Sequence, residues 1–244
     1  MAVRTDPVVD AVDTPAALPE VSLWSGAWAI LSKEVRSEFR SHELLTTTAV
    51  FSLMVVVMFS FSFDATREEV RRFAPGLLWI AILFSGTLML EPAFLREQAN
   101  ETLSALRLAP IPPYSILLGK TLAAFFFLAI TEALLLPVFV VLYNVSVAGE
   151  LLPLILVLAL GTLGILVPGT LFSAVTAHAR MRELLLPLLL LPVLTPVLIA
   201  GTEATASLLS DPPEWPGLWL KVLAGADVIY LTTSYFLFEA LLEE

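Results

Sequence analysis

Two carboxylates stand where charge is expensive. Glu132 lies midway through an apolar run at about 114–143, and Asp227 lies inside another at about 215–237. Ionisable groups at membrane depth are rare and mark proton relays, lumens or buried polar pairs. Hydroxyl donors of suitable type stand nearby in Thr131 and Thr232. A proton relay, lumen-facing positions and protonated structural carboxylates are therefore all open for this pair.

A second segment could transmit force. Residues 91–113 read EPAFLREQANETLSALRLAPIPP. The part at about 94–108 has the pattern of a short amphipathic helix, with Leu95, Leu103 and Leu106 apolar and Arg96, Glu97, Gln98, Asn100, Glu101 and Arg107 polar. Pro92 opens it, and Pro110, Pro112 and Pro113 close it. A rigid helix bounded by proline suits transmission of a push from a soluble partner. A second interfacial helix without a partner is the alternative. In the first case the coupling surface is Arg96, Glu97, Leu103, Leu106, Arg107, Leu108 and Pro110.

Other chemistry is argued against. The chain has no cysteine, which excludes disulfides, thiolate metal sites, thiol nucleophiles and haem attachment through paired cysteines. The histidines are His42 and His178, and no metal set or nucleophile triad is apparent. Gly164 and Gly169-Thr170 have phosphate-loop spacing but lack the lysine and lie in an apolar helix. Any ATP chemistry must come from another polypeptide. The net charge is -10 and no basic patch exists, so nucleic acid is not an expected partner.

The elements that position these residues follow from composition. Of 244 residues, 58% are hydrophobic and 15% charged, with mean hydropathy +0.88. A soluble fold could not hide that much apolar surface, so lipid is the solvent. Apolar blocks of spanning length fall at about 44–63, 74–90, 114–143, 151–177, 183–201 and 215–237, the third tilted or broken near Pro137. Before them, Trp24, Trp28, Leu31, Val35 and Phe39 recur at helical spacing over 22–41, with Lys33, Glu34, Arg36, Glu38 and Arg40 mostly off that stripe. This helix should lie in the interface, tryptophans toward acyl chains and cations toward phosphates. Residues 1–20 read as a disordered cytoplasmic tail and 21–244 as one transmembrane domain.

Six crossings put both termini on one side. With the N-terminus inside, nine Lys/Arg residues are cytoplasmic (Arg4, Lys33, Arg36, Arg40, Arg96, Arg107, Lys120, Arg180, Arg182) against four outside (Arg67, Arg71, Arg72, Lys221). That bias places both termini in the cytoplasm. In the fourth span Gly161, Ile165, Gly169, Ser173 and Ala177 recur every fourth residue, and all but Ile165 are small, which predicts close helix packing there. Pro187, Pro192 and Pro196 remove backbone donors from the fifth span, which predicts a bent helix buried in protein.

Three stretches resemble the haem exporter protein B (CcmB) family of cytochrome c maturation permeases. Arg72-Phe-Ala-Pro-Gly-Leu-Leu-Trp79, continuing to Glu91, is similar to its second span. Thr102-Leu-Ser-Ala-Leu-Arg-Leu-Ala-Pro-Ile-Pro-Pro113 with Leu118-Gly-Lys120 is similar to its cytoplasmic loop, and Leu190-Leu-Pro-Val-Leu-Thr-Pro-Val-Leu-Ile-Ala200 to its fifth span. The likeness covers about residues 25–240. One departure is Asn100-Glu-Thr-Leu-Ser104, where the family often has an Asp-Gly-x-Leu-Glu-like pattern.

The resemblance implies an ABC-2-type exporter permease, an all-α integral membrane protein of six transmembrane helices in the bacterial inner membrane. It implies a homodimer joined to two ABC ATPase subunits, a haem-handling membrane subunit and a haem chaperone. No cofactor is expected on this chain: ATP belongs to the ATPase, and haem is handled by the complex. The chain itself is expected to be non-catalytic. An ABC-2 exporter of lipid or drug, a proton-coupled transporter using Glu132 and Asp227, and a non-transporting scaffold are the competing functions.

Overall fold

A computed structural model describes residues 22–62, 66–90, 112–147, 149–177 and 182–243. The expected tail at 1–20 and coupling helix at 94–108, with Arg96, Glu97, Leu103, Leu106, Arg107, Leu108 and Pro110, lie outside the described residues, as does His178. Among the described residues there are seven helices and no strand: α1 Leu23–Ser41, α2 Glu43–Ser62, α3 Arg67–Leu90, α4 Pro113–Tyr143, α5 Leu151–Thr176, α6 Arg182–Leu209 and α7 Gly217–Glu243. Six of them, α2 to α7, are long and apolar enough to cross a bilayer. The chain is an all-helical, multi-pass membrane protein.

Helix ends follow local chemistry. Ser22 caps α1 by accepting from the Ser25 N–H, and His42 ends it in the left-handed region at φ 54°, its N–H donating to the Glu38 carbonyl at 2.7 Å. Proline at the first turn opens α4, where a missing N–H costs nothing, and left-handed Asn144 closes it. Pro137 does not break α4, which is continuous from end to end. The third helix starts about two turns before the expected residue 74, and the fifth span continues past 201 to Leu209.

The α2 helix is inverted relative to a helix of a soluble protein. In α2 the buried stripe is Thr48, Ser52 and Val56, while Val50, Met54, Met58 and Phe61 face outward. Lipid accepts the large apolar side chains, so small and hydroxyl groups are left for close helix contact. The α5 helix is at the centre, touching α3, α4, α6 and α7, and is buried over most of its length. One expectation is corrected in α6. Its buried residues form one stripe, Leu186, Leu190, Leu194, Val197, Ala200 and Ala204, joined near the end of the helix by Gly201, Thr205, Leu208 and Leu209, whereas Pro192 and Pro196 face outward. Pro187 is half-buried.

Candidate functional site

The region that receives the chain from the 91–111 segment is built on two anchors. The first is the end of α3. Leu90 is fully buried, and its side chain fills the space beside Gly169, where a Cβ would come within 2.2 Å of Leu90 Cδ1. The Ser173 hydroxyl donates to the Leu90 carbonyl at 2.7 Å, satisfying an acceptor that the helix end leaves open. Further along the same interface, a Cβ on Gly86 would lie 3.3 Å from Ile165 Cγ2, and Gly161 lies under the Trp79 ring. The four-residue repeat of α5 thus faces α3. Its last member, Ala177, is buried in a separate apolar cluster with Ile30, Ile116, Leu117, Leu171 and Phe238.

The second anchor is the start of α4. The Ser115 hydroxyl donates to the Leu23 carbonyl at 3.0 Å. Gly119 lets α1 approach: a Cβ there would be 2.7 Å from the Ala27 carbonyl oxygen and 2.7 Å from Ile30 Cβ. Next to it, Lys120 Nζ donates to Glu34 Oε1 at 3.2 Å, with the lysine side chain only 3% exposed. Glu38, also buried, accepts from the Leu45 N–H at 2.9 Å and so caps the first turn of α2. The α1 helix is therefore keyed to α4 along Ala27, Ile30 and Glu34 and to α2 through Glu38.

Sequence reasoning missed this face of α1. Lys120 counted as a topogenic charge and as part of the loop likeness, and Glu34 and Glu38 only as polar residues mostly off the tryptophan stripe. A signal was present: Ala27, Ile30, Glu34 and Glu38 follow helical spacing, adjacent to the tryptophan stripe. Its mixed chemistry hid it.

The two membrane carboxylates are both buried but do not form a pair. Glu132 accepts from the Thr162 hydroxyl on α5, not from Thr131, whose hydroxyl donates to its own helix at the Phe127 carbonyl. Asp227 lies over Gly164, where a Cβ would be 2.9 Å from Oδ1, and neither of its oxygens has a hydrogen-bond partner among the described residues. Thr232 does not serve it, being exposed and donating to the Val228 carbonyl. Tyr230, one turn on, donates to the Val193 carbonyl of α6. Residues 162 and 164 are about 200° apart around α5, so the carboxylates meet that helix from opposite sides.

At the far end of the bundle from α1 lies a cavity of about 800 Å³. Phe59, Phe73 and Tyr143 contribute apolar wall, and Arg71, Glu150 and Asp211 contribute charge. Arg71 and Asp211 pair across its rim at 3.2 Å. None of the residues singled out from the sequence as candidate site residues lines it. Among the described residues, no three His, Asp or Glu side chains are grouped to hold a metal ion.

Comparison with known proteins relates the chain to a family. A family model described as "CcmB protein" matches residues 25–244. Heme exporter protein B of Pseudomonas aeruginosa is 31% identical over 198 residues, which cover 80% of this chain and 88% of that protein. The protein of the same name from Rhodobacter capsulatus is 34% identical over 175 residues, covering 72% and 80%. That from Haemophilus influenzae is 28% identical over 213 residues, covering 87% and 95%.

Proposed function

The chain belongs to the CcmB family, and from that membership we propose that it is the membrane-spanning permease subunit of an ABC transporter complex for cytochrome c biogenesis. Haem is the cargo that the complex handles, by translocation or by release of a haem-loaded chaperone. ATP is bound and hydrolysed on a separate ATPase subunit, and this chain is non-catalytic. Two permeases pair with two ATPases, beside a haem-handling membrane subunit and a haem chaperone. The assembly lies in the bacterial inner membrane with both termini of this chain cytoplasmic.

The observation that supports a lever mechanism is the pair of anchors at either end of residues 91–111. The segment leaves a fully buried Leu90 wedged against Gly169 of the central α5. It re-enters at an α4 keyed to α1 through Gly119 and the Lys120–Glu34 pair. A displacement of the segment would therefore be delivered to the bundle core and to α1 together. Close packing transmits displacement because interiors are little compressible. In this reading the 94–108 helix docks on the ATPase, with Leu103 and Leu106 as apolar anchors, Arg96, Glu97 and Arg107 at the polar rim, and Leu108 and Pro110 closing the contact. ATPase dimer closure then shifts the population of bundle states.

The test is co-purification. Leu103→Asp combined with Leu106→Asp is expected to abolish association with the ATPase subunit while the permease remains in the membrane. Undiminished association and ATPase activity would refute the docking surface. Glu132 and Asp227 lie on opposite sides of α5, which offers no direct carboxylate-to-carboxylate path for a proton-coupled reading.

A further inference from the structure

The faces of α1 are sorted by charge in a way that composition does not reveal. Its two carboxylates are both engaged within the chain: Glu34 holds buried Lys120 at 3.2 Å and touches its neighbour Lys33 at 3.4 Å, and Glu38 caps the α2 N-terminus. Its three long cations, Lys33, Arg36 and Arg40, are all exposed. At about 100° per residue these cations share one flank of the helix. Trp24, Trp28 and Phe39 share a second, at 70%, 68% and 52% exposure. Ala27, Ile30, Glu34 and Glu38 form the third, which is docked on the bundle. The three flanks are roughly a third of a turn apart. A helix held to the protein by one flank thus presents an aromatic flank and a cationic flank to whatever surrounds it.

We propose that the outward flanks of α1 form a binding surface for anionic phospholipid, with Trp24, Trp28 and Phe39 in the acyl boundary and Lys33, Arg36 and Arg40 on headgroup phosphates. Charge complementarity selects this occupant. The chain as a whole carries -10, yet this flank is cationic because its acids are engaged internally. The aromatic flank beside it suits an amphiphile, since amphipathic rings favour the interfacial depth at which phosphates lie. Among the described residues, the nearest exposed acid along the chain is Glu43, beyond the helix in the first turn of α2. The inference does not depend on the ATPase partnership. It makes α1 a site where lipid composition acts on the same helix that Lys120 ties to α4.

The experiment uses the full-length chain, purified and delipidated in mild detergent. Retention of phosphatidylglycerol against phosphatidylcholine is measured by native mass spectrometry. The wild type is expected to retain phosphatidylglycerol preferentially. The triple variant K33Q/R36Q/R40Q is expected to lose the preference, at about fivefold per charge and on the order of 100-fold in all. Its thermal unfolding should change little, because the three residues are exposed and Glu34 keeps its pair with Lys120 when Lys33 is lost. The charge-conserving variant K33R/R36K/R40K should retain the preference. Equal retention of both lipids by the wild type would overturn the proposal, as would an unchanged preference in the triple variant. A triple variant that keeps its lipid preference but loses the ATPase would assign the flank to an acidic protein surface, and the lipid proposal would fail. Loss of preference in the Arg72→Gln variant alone would place the lipid at the other end of the bundle and would likewise overturn it.

Discussion

The indole N–H of Trp79 on α3 donates to the Thr205 hydroxyl on α6 at 3.0 Å, and its six-membered ring fills two glycine notches. A Cβ on Gly161 would lie 1.9 Å from Trp79 Cη2, and one on Gly201 would lie 2.5 Å from Cε2. A single tryptophan thus ties three helices at the depth where they cross. Gly161→Ala must displace a buried ring that Gly201 faces from α6, at a cost of about 1–3 kcal/mol. Its thermal unfolding midpoint in detergent should fall. In the Trp79→Phe background the same substitution should cost less, since the smaller ring leaves room, and a double-mutant cycle measures that coupling.

The Lys120–Glu34 pair should show the asymmetry of a buried charge. Lys120→Met leaves Glu34 with Lys33 nearby at 3.4 Å. Glu34→Gln instead removes the one carboxylate oxygen that Lys120 and Lys33 share, at 3.2 Å and 3.4 Å. The glutamate variant should therefore be the more damaging, by roughly 1–3 kcal/mol. The exchange K120E/E34K should recover part of the loss. Protease accessibility of α1 in membrane vesicles reports both, and equal effects of the two single variants would argue against the pair as the key.

Glu38 acts on the first turn of α2 through the Leu45 N–H at 2.9 Å. Glu38→Ala removes that cap and should destabilise by about 0.5–2 kcal/mol, as other cap deletions do. Glu38→Gln keeps an acceptor oxygen and should lose less. Hydrogen exchange over residues 43–47 is the appropriate readout, because an uncapped turn frays locally before the bundle unfolds.

Thr162 is the hydroxyl donor to Glu132. Thr162→Val preserves shape and removes the donor, with an expected cost near ~0.6 kcal/mol and at most about 1.7 kcal/mol, the range for hydrogen bonds between membrane helices. Thr162→Ser should behave as wild type in thermal unfolding. A loss in the serine variant as large as in the valine variant would show that methyl packing, not the hydrogen bond, matters at this position.

The sequence by itself determined that this chain forms six apolar helices of bilayer length with an amphipathic helix before them. It also determined the family, through soft motifs whose order and spacing matter together. These are local properties: run length against membrane thickness, proline and capping residues at helix ends, and a fourfold repeat of small side chains along α5. What only the tertiary structure decided is which flank of each helix meets protein. It turned Glu34 and Glu38 inward, gave Glu132 the hydroxyl of Thr162 instead of its neighbour Thr131, and left Pro192 and Pro196 facing out. The physical reason is that lipid and protein interior are equally apolar. In water, hydrophobicity says which side of a helix is inside; in a bilayer that contrast vanishes, and small residues, hydroxyls and paired charges choose the partner through contacts that only the assembled helices define.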